Sequence, residues 1–207
     1  MPIFSLNRLT LIFIILFFAA ASFIYYGRYL EEKAVREHLA ALLSDSGEAP
    51  GFGERSKTSD CLARGPLPDP ECTPGSIFSV AQLEEICVPG YTKTVRNVSL
   101  KMRKAVFAEY GIGYPQPQGS FEVDHLIPLA LGGDNDIANL FPEAAEPRPG
   151  FKEKDIVEIY LYEEACAMRV SLPVAQARIA ANWLEIFKNL PPDRIEAIKN
   201  KFKSWSN

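Results

Sequence analysis

The stretch FEVDHLIPLALGGDNDIANLFPE, Phe121 to Glu143, decides the fold of this 207-residue chain. Phe121 to His125 reads as a strand that runs into a turn closed by Gly132 and Gly133, and Ile137 to Phe141 reads as a second short strand coming back. Upstream, GIGYPQPQGS is a loop, and Ser99 can cap a helix running to Tyr110, with Leu100, Val106, Phe107 and Tyr110 available to a core and Gly111 as its stop. Before that, Ser79 followed by Gln82 predicts a capping box opening a short helix to about Cys87, and VPGYTKTVR predicts a turn and an extended segment. Downstream, the Pro-rich loop PEAAEPRPG leads to a helix from Phe151 to Cys166. Ser171 and Pro173 start another helix, and a last amphipathic one runs from Pro192 to about Trp205 through Ile195, Ile198 and Phe202. Two short strands among several helices make the class α+β.

The N-terminus is a separate problem. From Leu9 to Gly27 the chain carries no charge, and at about 1.5 Å per residue such a helix matches a bilayer core of about 30 Å. A cleaved signal peptide is the rival reading, because Ala19, Ala20 and Ala21 give small residues near a possible processing site. The apolar run continues through Phe23, Ile24, Tyr25 and Tyr26, which favours a membrane anchor. Tyr29 to Leu43 predicts an amphipathic helix extending it, and Ser44 to Ser59, rich in Gly, Ser and charge, predicts a flexible tether. The expected organisation is an anchor over 1–28, a juxtamembrane helix and linker over 29–59, and a folded domain over 60–207.

Orientation is read two ways. Arg8 precedes the apolar run while Arg28, Lys33 and Arg36 follow it, and that count would leave the C-terminal part in the cytoplasm. Four cysteines, Cys61, Cys72, Cys87 and Cys166, none in a C-x-x-C pair, suit two disulfides in an oxidising compartment, with four buried thiols as the plainer alternative. The disulfide reading places the domain on the periplasmic or extracellular side of the inner (cytoplasmic) membrane, behind a single pass. Cys61 and Cys72 bracket the Pro-rich LARGPLPDPE, a loop that a local disulfide would hold.

Net charge is 22 − 26 = −4. Against that acidic sum, the interval between Glu85 and Glu109 contains no acid but does contain Lys93, Arg96, Lys101, Arg103 and Lys104. Alone this is a solvated basic face; beside a phosphodiester-cleaving site it would hold a phosphate backbone. His38 and His125 are the only histidines, and only His125 lies in the predicted domain. A zinc site of two or three histidines is thereby excluded within the domain, and no G-x-S-x-G elbow supports a Ser-His-Asp triad.

The ordered set Asp124, His125, Gly132, Gly133 and Asn139 resembles the core of the HNH (ββα-metal) nuclease superfamily: an Asp-His pair ending one strand, a Gly-Gly loop, and an Asn-Leu in the returning strand. The resemblance extends through TPGSIFSVAQLEEICVPGYTKTVR (Thr73 to Arg96), Lys154-Asp155 with Glu158, Cys166, and SLPVAQARIAANW (Ser171 to Trp183), which is similar to a bacterial HNH-containing subfamily with paired cysteines. It implies a small ββα-metal core embedded in a mostly helical domain. It further implies pairing of Cys61 with Cys72 and of Cys87 with Cys166.

The implied activity is metal-dependent hydrolysis of phosphodiester bonds in DNA or RNA with little sequence preference, leaving 5′ phosphates. In that scheme His125 is the general base, Asn139 bonds the loop backbone to keep it aimed, and Asp124 is a ligand for one divalent metal ion, Mg²⁺ or Mn²⁺. The expected partners are the nucleic acid, held by Lys93, Arg96, Lys101, Arg103 and Lys104, and the membrane through the N-terminal helix, with no protein partner. One departure matters. Where many HNH proteins carry His or Asn on the helix after the Asn strand, this chain reads RPGFKEKDIVE, so Asp155 and Glu158, three apart on one helical face, are the candidate remaining ligands, with Glu143 a third. The same departure motivates the alternative, a catalytically inactive HNH-like module that binds or scaffolds in the cell envelope.

Overall fold

The computed structural model describes residues 22, 25–27, 29, 30, 33 and 52–203. The chain forms two compact units, Met1–Ala40 and Ala41–Asn207. In the first, the described residues are helical and the rings of Tyr26 and Tyr29 stack with centroids 6.4 Å apart. Most of the apolar run from Leu9 to Gly27, and most of the segment from Tyr29 to Leu43, lie outside the described residues. Among the described residues no helix is long and apolar enough to cross a membrane.

Among its described residues the second unit is a mixed α+β domain, mostly helical, around one two-stranded antiparallel sheet. Strand β1 (Phe121–His125) pairs with β2 (Leu140–Ala144), in a register that sets Glu122 opposite Glu143 and Asp124 opposite Phe141. The expected second strand was Ile137 to Phe141; instead Ile137–Asn139 is a 3-10 turn, opened by the Asp136 side chain accepting from Ala138 N, and the strand begins at Leu140. Asn139 therefore sits just before the strand.

Before the sheet come α1 (Leu83–Ile86), α2 (Tyr91–Val95) and α3 (Leu100–Glu109). Ser99 caps α3 by accepting from Met102 N at 3.2 Å, while the expected capping box at Ser79 does not form, since α1 starts after Gln82 without a side-chain cap. The segment predicted as extended, VPGYTKTVR, contains α2, entered from Gly90 in the left-handed conformation (φ 91°) that glycine adopts without a Cβ penalty. On α3, Val106 and Phe107 are buried, but Leu100 is exposed, because the first turn faces outward.

After β2, a loop containing Pro147 and Pro149 leads to α4 (Phe151–Cys166), then α5 (Leu172–Asn189) and α6 (Pro192–Lys203). Helix α5 breaks at Asn182, whose side chain caps the second half by accepting from Glu185 N. Leu131, Leu140 and Phe141 from the strand-turn unit, Ile156, Val157 and Leu161 from α4, and Ile179 and Trp183 from α5 form the core; each such apolar side chain contributes about 1.5–3 kcal/mol on burial.

Both disulfides are present, Cys61–Cys72 and Cys87–Cys166, the second tying the end of α1 to the end of α4. The folded unit reaches further back than residue 60. Ser56 and Lys57 donate their N–H groups to Glu71 O, Arg55 Nε bonds Cys72 O at 2.7 Å, and Lys57 pairs with Asp69 at 3.0 Å. The end of the expected tether is thus bound to the disulfide loop. Its composition hid this, because the attachment is made by charged side chains and not by apolar periodicity.

Candidate active site

The turn between the strands is built around Asn139 and Gly133. Asn139 is fully buried; its Oδ1 accepts from Ile127 N at 2.9 Å, and its Nδ2 donates to Ile127 O and Asp134 O, each at 2.9 Å. A Cβ on Gly133 would stand 1.8 Å from Ile127 O and 2.9 Å from Asn139 Nδ2, so the backbone passes where only glycine fits. Residues 75–78 brace the same turn from outside: Gly75 N donates to Ala138 O, Phe78 N to Gly132 O, and Asp134 N to Ser76 O. Gln176 on α5 reaches Leu131 O at 2.7 Å. The result is a rigid platform directly after His125.

Directly opposed residues of an antiparallel pair share a face, so Glu122, Glu143 and Asp124 lie on one side of the sheet and His125 on the other. Helix α4 brings Lys154 to the acidic side. Its ammonium is wholly buried and donates to Asp124 Oδ2 at 2.8 Å, to His125 O at 2.7 Å and to Glu158 Oε1. Asp124 is also fixed by His125 N, which donates to its Oδ1 at 2.8 Å. Lys154 thereby joins Asp124 on β1 to Glu158 on α4.

The charges do not balance. Burial pushes Asp124 up, but the Lys154 ammonium holds its carboxyl below the usual carboxylate range. Burial would strip Lys154 of its proton, yet Asp124, Glu158 and Glu143 raise its pKa, so it stays charged. Burial raises Glu143 well above its ordinary value against the pull of Lys154, and the Asp124 carboxylate adds to the rise. Asp155 is pushed to about 7 by burial and then by the charge of Asp124, and Glu158 also rises through burial despite its bond to Lys154. An ionised Glu143 has both oxygens buried without a hydrogen-bond partner; as the neutral acid it can donate to Asp124. One ammonium faces several carboxyl groups, and those it cannot neutralise are pushed toward their protonated forms.

The raised values keep Glu143 and Glu158 protonated beside Asp124 and Lys154, and these crowded carboxyls are oxygen donors of the kind a hard divalent cation takes in their ionised form. Among the described residues no three His, Cys, Asp or Glu side chains converge as a metal-holding group by themselves. Lys154 stands between Asp124 and Glu158. The donor set therefore fits a cation in type, with Lys154 as the resident positive charge. Of the expected ligands, Asp124 and Glu158 are brought together through Lys154, and Asp155 lies close enough for the charge of Asp124 to raise it. The sequence pattern singled out Lys154 only as half of the Lys154-Asp155 pair; its complete burial amid carboxylates is a tertiary fact.

His125 is 1% exposed. Burial lowers its pKa to about 4, with the Asp124 carboxylate working in the opposite direction, so the ring is neutral at neutral pH. Its Nε2 lies 3.3 Å from Asn135 Oδ1, and its Nδ1 is buried without a partner. Asn135 was not among the expected site residues. It also accepts from Asn97 N at 2.9 Å and donates to Val95 O at 2.8 Å, pinning the end of α2 beside the histidine. Of the five expected nucleic-acid-binding residues, Arg96 lies in that pinned segment, and its charge is felt at His125, Glu122 and Asp155. Lys93, Lys101, Arg103 and Lys104 are exposed, with Lys104 over the ring of Tyr114 at 5.7 Å.

No family model, curated protein or solved structure matches the chain.

Proposed function

We propose that the chain is a metal-dependent nuclease of the HNH (ββα-metal) kind, hydrolysing phosphodiester bonds of DNA or RNA. The observation that carries the reading is the meeting of Asp124 and Glu158 around one ammonium that also bonds the backbone carbonyl of His125, a neutral histidine at the end of a two-stranded sheet whose turn is locked by an asparagine. Neighbouring carboxylates and a lone neutral imidazole are the parts that metal-assisted hydrolysis needs. Asp124, with Glu158, Asp155 or Glu143, would hold the cation, Mg²⁺ or Mn²⁺. What a bound divalent cation supplies there is stabilisation of the negative charge that grows on the phosphate and the leaving oxygen. His125 takes the proton from the attacking water. Asn139 fixes the turn behind it, and Lys154 keeps Asp124 ionised and in place. Arg96 and the exposed Lys93, Lys101, Arg103 and Lys104 hold the phosphate backbone, a contact that carries little base information.

A second reading, an HNH-like module that binds or scaffolds without cutting, draws on the completeness of the Lys154 contacts and the burial of His125. The paired cysteines suit either role in an oxidising compartment, behind an N-terminal anchor. Incubating the purified full chain with supercoiled plasmid and with RNA separates the two. The nuclease reading expects cleavage with Mg²⁺ or Mn²⁺ that stops in EDTA, and an Asp124→Ala variant that loses both metal binding and turnover. A folded protein that binds nucleic acid yet leaves it intact in every metal supports the module instead.

A further inference from the structure

The amide of Asn135 cannot be turned around. Its oxygen accepts a backbone N–H, from Asn97 at 2.9 Å, and its nitrogen donates to a backbone carbonyl, Val95 O at 2.8 Å. Both partners are main chain with fixed roles, so the network determines which atom faces the histidine. That atom is Oδ1, 3.3 Å from Nε2 of His125. An amide oxygen only accepts. An imidazole with a single ring hydrogen therefore carries it on Nε2, and the lone pair is on Nδ1, the nitrogen left buried without a partner.

The same three hydrogen bonds tie His125 to the segment Val95–Asn97, which carries the exposed Arg96. From this geometry we infer that Asn135 is a positioning residue that sets the tautomer of His125 and couples it to the basic segment on which a phosphate backbone would rest. The inference rests on the nuclease reading for its functional meaning. A phosphate drawn to Arg96 loads the segment whose backbone fixes Asn135, and Asn135 holds the ring with its proton-accepting nitrogen free. Strand binding and base orientation then share one side chain. This explains why an asparagine stands in the turn beside the site, where a residue of any other donor–acceptor pattern would leave Val95 O or Asn97 N unanswered.

The test uses the full chain carrying His38→Gln, so that His125 supplies the only imidazole signals. Long-range proton–nitrogen correlation spectra report the tautomer whether or not the protein cuts anything. The parent should show Nε2–H. Asn135→Leu, which removes the acceptor, should give a mixture, expose the Asn97 amide to exchange at least tenfold faster, and slow cleavage on the order of 10²-fold, as expected for a base held wrongly. Asn135→Asp keeps the acceptor and should retain both the tautomer and the Asn97 protection while losing the bond to Val95. If the leucine variant does not fold, Asn135→Ser carries the same comparison. An unchanged tautomer with an equally protected Asn97 amide in the leucine or serine variant overturns the coupling. A tautomer that changes as stated in a chain whose parent cleaves no nucleic acid upholds the coupling and removes the nuclease reading.

Discussion

Lys154 reaches from helix α4 to Asp124 on strand β1 with Nζ 2.8 Å from Oδ2, and no part of the lysine side chain is exposed. A buried ammonium that bonds two carboxylates and a carbonyl is committed to all three. Lys154→Met keeps the length but leaves Asp124 and Glu158 facing each other without compensation. The expected loss is about 3–5 kcal/mol of folding stability, read from chemical denaturation. Mn²⁺ should narrow that loss, since with the ammonium gone the cation meets Asp124 and Glu158 without a competing charge and binds the variant more tightly than the parent.

The turn before β2 should tolerate nothing larger than glycine at Gly133. A methyl group there meets Ile127 O, which is backbone and cannot step aside. Gly133→Ala is expected to cost at least about 3 kcal/mol, and Asn139→Ala a similar amount by leaving Ile127 N, Ile127 O and Asp134 O unpartnered in the interior. Denaturant midpoints of the two variants, with an unchanged m-value, check both.

The disulfides should differ in weight. Cys61–Cys72 closes a separation of 11 residues and Cys87–Cys166 one of 79. In the chain-entropy picture the longer loop stabilises by roughly 4 kcal/mol and the shorter by roughly 3. Cys87→Ala with Cys166→Ala should therefore lower the melting temperature more than Cys61→Ala with Cys72→Ala, as calorimetry would show.

Asp69 gives an acid-side dependence away from the candidate site. Burial raises its pKa, but bonds from Leu62 N, Lys57 and Glu71 N outweigh burial and hold it below the ordinary carboxylate value. A carboxyl with a depressed native pKa contributes stability above its unfolded value, near 4, and loses it as pH falls through the native value. The stability gap between the parent and Asp69→Asn, measured by urea denaturation, should be widest at neutral pH and shrink below about pH 4.

How much of this was legible depended on the range of the interaction. The helices over Phe151–Cys166 and Leu172–Asn189, the strand Phe121–His125 and the Ser99 cap follow from local periodicity and capping, and they are where the residues predicted them. Both disulfide pairs followed from the ordered resemblance. The second strand began three residues late, because Asp136 captures Ala138 N in a 3-10 turn before extended pairing can start. Residues Arg55 and Lys57 looked like tether, and only their partners Glu109 and Asp69, far along the chain, reveal them as part of the domain. Within the site, Asp124 and His125 stand out as a pair; Asn135 and the burial of Lys154 do not, since Asn135 is held by Val95 and Asn97 and Lys154 by Asp124 and His125, partners 29 to 40 positions away.

Whether His125 is the base of a metal-dependent nuclease comes down to one rate. Single-turnover cleavage of nucleic acid by the full chain in Mn²⁺ is measured beside His125→Ala, a substitution that removes the base and leaves the oxygen donors. Cleavage by the parent, with the variant slower by roughly 10² to 10⁴, is the predicted result. A folded parent that leaves single- and double-stranded DNA and RNA intact across about pH 6 to 9, or a variant that cuts as fast as the parent, would contradict it.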